Sequence, residues 1–390
     1  MIGRFANGHV VTPAGVLDGA AIDIGAGGVI RSVAPLDGDA GGALDLEGGW
    51  LLPGFIDTQV NGGGGVLFND DMSIEAIATI GAAHRGFGTT AFLPTLISEE
   101  TSRIAAALDA VDDAIEAGVP GLVGIHVEGP FINAERRGIH EAHRIRSIDQ
   151  QAIDLLTRPR AGKVMVTLAP EQCDLDAVRA LVRYGVIVSI GHSDATYQEA
   201  RAAIDAGAIG VTHLFNAMSP LVHRAPGVVG AALDDRRVWA GLIVDTIHVH
   251  PAAIRIAVAA KGADRIMLVT DAMSGVGTSS DSFDLQGKTI RIRNGSCVYS
   301  DGTLAGSNLD MAAAFRNTVA ITGLRPDQVA PMAAGNAACF LGLAERRGTL
   351  AGGRRADWAW LDSELRPRGT WIGGTRARDG ALDQPGIAAE

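Results

Sequence analysis

The strongest constraint on the fold is a regular alternation of apolar runs with Ala-rich stretches between Leu51 and Asp271. Eight runs have the length and apolar character of buried strands: Leu52–Thr58, Thr89–Thr95, Leu122–Glu128, Lys163–Ala169, Val186–Gly191, Ile209–His213, Trp239–Val244 and Arg265–Asp271. Helical stretches lie between them: Ser73–Gly86, Thr101–Ala117, Asp149–Leu156, Asp174–Tyr184, Tyr197–Ala206 and Pro251–Lys261. This alternation is typical of α/β proteins with a parallel sheet. Eight strands favour a (β/α)8 TIM-type barrel over an open doubly wound sheet.

The two ends of the chain have a different, β-rich character. Short strand-like runs separated by Gly and Asp turns occupy the first fifty residues, and similar runs return through Trp358–Leu361. Neither end is long enough to bury itself, so we expect them to pair. The prediction is a small β-sandwich domain of residues 1–51 and 345–390 beside a barrel domain of residues 52–344. We expect a β segment at Lys288–Val298, helices near Asn308–Thr322 and Pro326–Leu341, and a frayed tail from Arg376 to Glu390.

Composition and charge exclude several classes of function. The 390 residues are 47% hydrophobic and carry a formal net charge of -11. That charge argues against a nucleic-acid binder, because affinity for a phosphate backbone depends on cationic side chains. No run approaches the roughly 18 apolar residues of a membrane span, and the first residues lack the pattern of a signal peptide. Three distant cysteines without CxxC spacing indicate a reducing compartment, so we expect a cytoplasmic protein.

The stretch from Gly124 to His143 carries the densest group of metal-type residues. It holds His126, Glu128, His140 and His143 around a Gly-Pro break. A carboxylate at the end of an apolar strand is costly to bury unless a cation or hydrogen bonds compensate it. A metal site is one reading of the stretch, and a solvated loop with surface histidines is the other.

Four candidate residues fall at the carboxyl ends of predicted strands, the face where barrel enzymes place their active sites. They are Glu128, His192, His213 and Asp271. One such residue alone would be a hydrogen-bonded core group. Two imidazoles and one carboxylate leave a fourth position open on a tetrahedral ion, which is the arrangement of a catalytic metal. Asp271 then fits a general base that takes a proton from water, although a cap or turn is the alternative role.

A second group of residues suggests recognition of an anion. His223 and Arg224 precede a Pro-Gly turn, and His248 and His250 follow the seventh predicted strand. A guanidinium fork and an imidazole donor both suit a phosphate. The signal is weak by itself, because a single Arg is usually solvated.

Eight motifs in the right order resemble one known family. They are PGFIDTQVNGGGGVLFND, HVEGPFINAERRGIH, GHSDATY, THLFNAM, HRAPG, DTIHVH, VTDA and DGTLAGSNLDM, spread over residues 50 to 355. The chain resembles the N-acetylglucosamine-6-phosphate deacetylases of the amidohydrolase superfamily. That resemblance implies a barrel with a flanking sandwich, and hydrolysis of the acetamide of N-acetyl-D-glucosamine 6-phosphate to D-glucosamine 6-phosphate and acetate.

The resemblance also implies roles for individual residues. Glu128, His192 and His213 would bind the metal, Asp271 would be the catalytic acid/base, and His140 would contact the sugar or polarise the acetyl carbonyl. Substrate contacts would map onto Ile139, Asn216, Ala217, Arg224, Asp245, His248, Leu304, Ala305 and Gly306. The resemblance further implies a homodimer in which the phosphate pocket is completed across the subunit interface. Arg224 and His248 are the residues expected in that pocket.

One departure from the wider superfamily concerns the first strand. Most amidohydrolases carry His-x-His there as ligands for a second metal, whereas this chain has Gln59 and Asn61. Amides bind divalent transition metals far less well than imidazole does. A bridging lysine at the end of the fourth strand is also missing, since Lys163 lies at its start. We therefore expect one divalent ion per subunit, with zinc preferred over iron, manganese or cobalt, and a vestigial second-metal position at Gln59 and Asn61.

Two rival readings stay open at the level of sequence. The same site could act on N-acetylgalactosamine 6-phosphate or on another N-acyl amino sugar. The chain could also be a non-catalytic scaffold that has kept the fold for binding, but such a protein would be expected to lose ligands or the base. Glu128, His192, His213 and Asp271 are all present.

Overall fold

A parallel eight-stranded barrel occupies the middle of the chain. The computed structural model describes residues 2–36, 41–293, 295–378 and 381–382. The barrel strands follow one another in sequence order around the sheet: β1 Phe55–Val60, β2 Thr89–Ile97, β3 Gly124–Glu128, β4 Lys163–Leu168, β5 Ile187–Ile190, β6 Gly210–Val211, β7 Trp239–Leu242 and β8 Ile266–Leu268. All eight predicted strands are present, and the predicted barrel is confirmed.

Helices cover the outside of the barrel and follow its strands. In the described part of the chain the α-helices are α1 Ile74–Arg85, α2 Thr101–Glu116, α3 Gln150–Leu156, α4 Leu175–Arg183, α5 Tyr197–Asp205, α6 Gly227–Asp234, α7 Pro251–Lys261, α8 Met311–Thr322, α9 Pro326–Ala330 and α10 Asn336–Phe340. Short 3-10 turns lie at Ala26–Gly28, Ala134–Arg136, Ala142–Arg144, Pro170–Gln172 and Ala263–Arg265. None of the described helices is long and apolar enough to cross a membrane.

Two helices differ from their sequence predictions. Helix α6 was not predicted, because residues 227–233 are all buried and a helix without a polar face gives no 3.6-residue pattern. The predicted helix Pro326–Leu341 contains a π-helical segment, Pro331–Gly335, between α9 and α10. Pro331 lacks an N–H, and the Asn336 N–H bonds to the Pro331 carbonyl five residues back.

The predicted first strand is divided between two sheets. Trp50–Pro53 pairs antiparallel with Trp358–Leu361 in the flanking sheet, and only from Phe55 does the chain enter β1. A side chain on Gly54 would place a Cβ 2.2 Å from the Thr90 hydroxyl oxygen, so a glycine is required at this passage. The predicted domain boundary at residue 52 therefore lies inside a strand of the flanking sheet, and the division into domains stays a prediction.

Both ends of the chain contribute to that flanking sheet. Its strands are Ile2–Thr12, Gly15–Ile24, Ile30–Pro35, Leu44–Asp45, Trp50–Pro53, Trp358–Leu361, Pro367–Ile372, Thr375–Arg378 and Ala381–Leu382. Phe5 and Trp371 lie three strands apart, about 14 Å in a flat sheet. Their ring centroids are only 6.5 Å apart, and both rings pack with Trp358 in one apolar cluster. The predicted fraying is wrong for Arg376, which pairs with Trp371; residues 379–380 and 383–390 lie outside the described residues.

Two small sheets stand at the carboxyl ends of the barrel strands. A four-stranded antiparallel sheet follows β8, with strands Ser282–Leu285, Lys288–Arg293, Ser296–Val298 and Leu304–Ser307. The predicted β segment Lys288–Val298 is thus a hairpin, and Asn294 in its turn lies outside the described residues. A hairpin of Gly62–Gly63 and Val66–Leu67 follows β1. These additions wall the mouth of the barrel.

The barrel is closed by contacts between the end of β1, with Asn61 after it, and the segment that follows β8. The Asp271 N–H donates to the Gln59 carbonyl at 3.0 Å, and the Asn61 N–H donates to the Ala272 carbonyl at 2.9 Å. The buried Asp57 carboxyl adds to this seam, since it accepts from the Thr270 hydroxyl at 2.5 Å. Burial raises the pKa of Asp57 to about 7, and the Thr270 hydrogen bond opposes that rise.

Replacing Asp57 by Asn is expected to change the pH dependence of stability. The pKa of Asp57 is higher in the folded protein than in the unfolded chain. The contribution of Asp57 to the free energy of unfolding is therefore largest below about pH 4, and it is lost as the pH rises to about 7. Every tenfold change in proton affinity between the folded and unfolded states corresponds to about 1.4 kcal/mol of stability. Thermal melts of wild type and Asp57→Asn at pH 5 and pH 8 measure the effect. Between pH 5 and pH 8, the Tm of the wild type should fall relative to that of the variant. A Tm difference that is the same at both pH values would contradict the prediction.

Candidate active site

The four candidate residues at strand ends meet over the mouth of the barrel. Glu128 is the last residue of β3, whereas His192, His213 and Asp271 lie in the turns after β5, β6 and β8. These three have left-handed backbone angles, with φ of 48°, 32° and 53°. Such a conformation costs roughly 1–3 kcal/mol in a non-glycine residue and is concentrated at functional sites. The strained turns aim the three side chains inward.

Three ligand-type atoms form a compact triangle. Glu128 Oε1 lies 3.3 Å from His192 Nε2 and 3.1 Å from His213 Nε2, and the two imidazole nitrogens are 3.0 Å apart. A tetrahedral zinc ion bound at 2.0–2.1 Å holds its ligand atoms about 3.3 Å apart. The triangle therefore has the size and the donor chemistry that one divalent ion requires.

The orientation of His192 favours the same interpretation. Its Nδ1 donates to the Arg136 carbonyl at 2.8 Å, which orients the ring so that Nε2 faces Glu128. Burial by itself would raise the pKa of Glu128, but its hydrogen bonds to His192 and His213 outweigh burial and hold that pKa well below the usual value. Glu128 is therefore an ionised carboxylate at neutral pH, as a metal ligand must be.

A second combination of possible ligands includes His140. Ligand atoms of Glu128, His140 and His192 lie within 4.8 Å of one another. That limit is looser than the edges of 3.0–3.3 Å in the triangle with His213. His140 Nδ1 also lies 2.6 Å from the Ser98 hydroxyl oxygen. His213 fits the third ligand position better, and His140 lies beside the triangle.

Gln59 and Asn61 present amide nitrogens to the two buried carboxylates. Gln59 Nε2 donates to Glu128 Oε1 at 3.0 Å and to Asp271 Oδ1 at 3.2 Å. Asn61 Nδ2 donates to Asp271 Oδ1 at 2.7 Å. The nitrogens must face the carboxylates, because an amide oxygen there would repel them. These amides therefore separate two like charges, a role that the sequence did not predict.

Asp271 has the protonation behaviour of a general base. Burial raises its pKa to about 6, the charge of Glu128 adds to the rise, and the Asn61 amide opposes it. A base is most effective when its pKa lies near the working pH. Asp271 lines the same cavity as Glu128, His192 and His213, so it can reach a water molecule held there.

A polar layer lies directly beneath the site. His126 is fully buried in the barrel, with Nδ1 3.2 Å from Thr95 Oγ1 and Nε2 2.7 Å from Thr167 Oγ1. Thr167 Oγ1 lies 2.7 Å from Thr212 Oγ1, and Thr212 Oγ1 lies 2.7 Å from Ser189 Oγ, so the hydrogen-bonded layer extends from β4 to β5 and to the residue after β6. Burial lowers the pKa of His126 to about 4, so the ring is neutral. His126 thus packs within the barrel.

Most of the predicted substrate residues line one cavity of about 160 Å³. The lining includes the candidate ligands and base together with Asn61, Ile97, Gly138, Ile139, His140, Asn216, Ala217, His248, Leu304 and Gly306. Leu304 and Gly306 alternate with Ala305, whose side chain packs into an apolar cluster with Met273 instead. The structure thus brings together residues from nearly the whole length of the barrel.

His248 is held by its neighbour Asp245. The His248 Nδ1 lies 2.6 Å from Asp245 Oδ2, and Asp245 Oδ1 accepts the N–H groups of Ile247 and His248 at 2.8 Å. Burial raises the pKa of Asp245, but the hydrogen bond and charge of His248, together with the backbone N–H groups of Ile247 and His248, outweigh burial and lower the pKa. Asp245 therefore orients His248, and only His248 lines the cavity.

The remaining cationic candidates lie away from this cavity. Arg224 and His223 are exposed on the loop before α6, and neither is among the lining residues. His250 is the N-cap of α7, where its Nδ1 accepts the Ala252 N–H. The His143 side chain is 67% exposed. Within the described residues of this one chain, Arg224 does not complete the cavity.

Ser98 is a site residue that sequence reasoning missed. The second strand was expected to end at Thr95, but β2 continues to Ile97, so Ser98 stands at its carboxyl end beside His140. The apolar run that continues through Leu96 and Ile97 was the available signal. The amide roles of Gln59 and Asn61 had no comparable signal, because they depend on the distances to both carboxylates.

Comparisons with known proteins identify a family and several relatives of this chain. Residues 50–379 match the model of the amidohydrolase family. The N-acetylgalactosamine-6-phosphate deacetylase of Shewanella sp. (strain ANA-3) is 43% identical over 331 residues, covering 84% of this chain and 83% of that protein. The N-acetylglucosamine-6-phosphate deacetylase of Haemophilus influenzae is 35% identical over 334 residues, covering 85% and 87%.

A solved structure extends the likeness to nearly the whole chain. It is a mutant of the N-acetyl-D-glucosamine-6-phosphate deacetylase of Mycobacterium smegmatis in complex with N-acetyl-D-glucosamine 6-phosphate. The TM-score is 0.88 at 32% identity, over 96% of this chain and 98% of that one. With the family model spanning residues 50–379, the chain belongs to the amidohydrolase family.

Proposed function

We propose that the protein hydrolyses the acetamide of N-acetyl-D-glucosamine 6-phosphate to D-glucosamine 6-phosphate and acetate. The observation that carries this proposal is the ligand triangle of Glu128, His192 and His213 with Asp271 in the same cavity. The relatives named above are deacetylases of 6-phosphorylated N-acetylhexosamines, and they supply the substrate class. The reaction belongs to amino-sugar catabolism and cell-wall recycling.

The triangle would hold one divalent ion, for which zinc is the preferred identity. Two imidazoles and a carboxylate suit zinc, although Fe2+, Mn2+ and Co2+ accept the same donors. The ion would supply Lewis acidity, which polarises a carbonyl and makes water easier to deprotonate. Gln59 and Asn61 are turned to Glu128 and Asp271 as donors, which supports a single ion rather than two.

The chain's own groups would carry the proton transfers. Asp271 takes a proton from the attacking water and returns it to the amine nitrogen as the C–N bond breaks, so the products are the free amine and acetate. His140 is neutral, because burial and the neighbouring His192 hold its pKa well below the usual value. It lines the cavity and is suited to donate a hydrogen bond to the acetyl oxygen.

A second candidate substrate is N-acetyl-D-galactosamine 6-phosphate. It is favoured by the 43% identity to the N-acetylgalactosamine-6-phosphate deacetylase of Shewanella, against 35% to the N-acetylglucosamine-6-phosphate deacetylase of Haemophilus influenzae. The test is acetate release from both phosphorylated epimers and from both unphosphorylated sugars, with metal analysis of the same sample. We expect kcat/KM to be highest for the gluco epimer, because that sugar phosphate is the ligand in the solved structure that matches 96% of this chain. Galacto preference would transfer the assignment to the second candidate, and no acetate release from any sugar would contradict the proposed function.

A homodimer would complete the phosphate site. Arg224 is exposed and lies outside the cavity of its own chain. Leu221, Val222 and Ile247 are 56%, 44% and 37% exposed around Arg224 and His248. An exposed apolar group beside a cation suits an interface. We infer that Arg224 reaches the phosphate bound in the partner's cavity.

The three cysteines are free thiols, which supports a reducing compartment such as the cytoplasm.

Replacing Arg224 by Ala is expected to raise KM for the phosphorylated sugar by about 10- to 100-fold, as loss of a charged hydrogen bond does. KM for the unphosphorylated sugar should change by less than about threefold. Arg179→Ala, on the surface of α4, is the matched control. Equal effects on both sugars would remove Arg224 from the phosphate site.

Mixed subunits distinguish a contact within one chain from a contact across an interface. Asp271→Asn and Arg224→Ala chains are unfolded together and refolded in a 1:1 mixture. If Arg224 acts across the interface, each mixed dimer has one intact site, and at substrate concentrations well below KM about a quarter of the wild-type activity returns. If Arg224 acts within its own chain, the mixture stays as weak as the two variants measured separately.

A further inference from the structure

Two donors of Ser98 converge on one ring nitrogen of His140. The Ser98 backbone N–H donates to His140 Nδ1 at 3.3 Å, and the Ser98 hydroxyl oxygen lies 2.6 Å from the same nitrogen. Ser98 is 1% exposed and His140 is 3% exposed. The contact is therefore shielded from water, and the two groups must satisfy each other.

The backbone donor decides where the proton of His140 resides. A backbone N–H can only donate, so a favourable contact requires an unprotonated Nδ1. The Ser98 hydroxyl then donates into the same lone pair. In the reverse arrangement, an Nδ1–H would face another N–H. A neutral imidazole with Nδ1 unprotonated carries its proton on Nε2.

Gly129 leaves room for the Ser98 hydroxyl beside the His140 ring. A Cβ on Gly129 would lie 2.3 Å from the Ser98 hydroxyl oxygen and 3.5 Å from His140 Nδ1. Gly129 also has a φ of 76°, a conformation that L side chains rarely adopt. The absence of a side chain at this position lets the Ser98 hydroxyl lie against the ring.

We propose that Ser98 is a positioning residue that fixes the proton of His140 on Nε2. His140 then presents an N–H donor to the acetyl carbonyl oxygen of the substrate instead of a lone pair to the metal. The proposal rests on the proposed deacetylation and adds to it the residue that sets the tautomer. The opposite tautomer would turn a lone pair towards the carbonyl oxygen and repel it.

The catalytic test compares Ser98→Ala and Ser98→Thr with wild type. We expect Ser98→Ala to lower kcat by about 10- to 100-fold, the range for one transition-state hydrogen bond, with KM changed by less than about threefold. Metal content should stay the same. Ser98→Thr keeps the hydroxyl and should retain kcat within about threefold of wild type.

A double-mutant cycle separates a role through His140 from general packing. In a His140→Gln background, Ser98→Ala should cost no more than about twofold further in kcat, because its partner is already gone. A full additional loss in that background would overturn the proposal. An unchanged kcat in Ser98→Ala would do the same, as would a Ser98→Thr variant that is as impaired as Ser98→Ala.

A spectroscopic measurement decides the tautomer without any assay. In protein labelled with 15N-histidine, the His140 ring is assigned by its disappearance in His140→Gln. We expect its Nδ1 to resonate as an unprotonated nitrogen and its Nε2 as a protonated one, with the preference weakened in Ser98→Ala. A protonated Nδ1 in wild type would overturn the proposal. If the protein released no acetate from any sugar, the proposed function would fail, and this spectrum would still decide the tautomer.

Discussion

Replacing Asp271 by Asn is expected to lower kcat by at least about 1,000-fold, while metal content stays near that of the wild type. The substitution removes the group that accepts and returns a proton, and general acid–base catalysis contributes about 10²–10⁴-fold. The variant side chain is isosteric, and its oxygen can still accept from the Asn61 amide, which lies 2.7 Å from Asp271 Oδ1. The loss should therefore be chemical rather than structural. Steady-state kinetics and metal analysis of one preparation measure both quantities.

The stability of the same variant provides a control. Burial and the charge of Glu128 both disfavour an ionised Asp271, so neutralising this group should leave Tm unchanged or higher. A lower Tm together with lost activity would point to misfolding instead of a missing base. Retention of more than about a tenth of the wild-type kcat would contradict the assignment of Asp271 as the acid/base.

Replacing Glu128 by Gln is expected to remove both the metal and the activity. An amide oxygen binds divalent transition ions far less well than a carboxylate, and Glu128 Oε1 is the vertex shared by both imidazole contacts. Metal content should fall well below one ion per chain, and kcat should fall by at least about 1,000-fold. Excess zinc should restore little of the lost kcat. Asp271→Asn, which keeps the ion, is the matched comparison.

Metal-free protein gives a second readout for Glu128. Without the ion, His192 and His213 still stabilise the Glu128 carboxylate, since they hold its pKa below the usual value. Metal-free Glu128→Gln should therefore melt lower than metal-free wild type at neutral pH. Zinc should raise Tm for the wild type only, because a ligand that binds the folded state stabilises it. A variant that gains the same Tm increase with zinc would exclude Glu128 from the ligand set.

The barrel could be predicted from sequence because its signal is local. Each strand is a short apolar run and each exposed helix has an apolar face, so the eight strands were found within a few residues of their observed bounds. Helix α6 escaped because it is buried on all sides. The division of Leu52–Thr58 between two sheets escaped as well, since an apolar run does not say which sheet it joins.

The candidate site divides in the same way between sequence and tertiary structure. Glu128, His192, His213 and Asp271 were identified because a strand end is a sequence position, and the carboxyl ends of parallel barrel strands share one face. Ser98 and the amide contacts of Gln59 could not be identified in that way. They depend on atoms 42 and 69 residues apart in sequence that approach within hydrogen-bond distance.

The sequence by itself determined the barrel and the residue types at its mouth, because periodicity and strand ends are properties of short segments. Only the tertiary structure decided which atoms meet. It showed that three ligand atoms form a triangle with edges of 3.0–3.3 Å, that Asp245 orients His248, and that Arg224 lies outside the cavity of its own chain. A hydrogen bond or a metal–ligand bond forms only when the distance between its two atoms is correct to within a few tenths of an ångström. Those distances are set by the packing of the whole barrel.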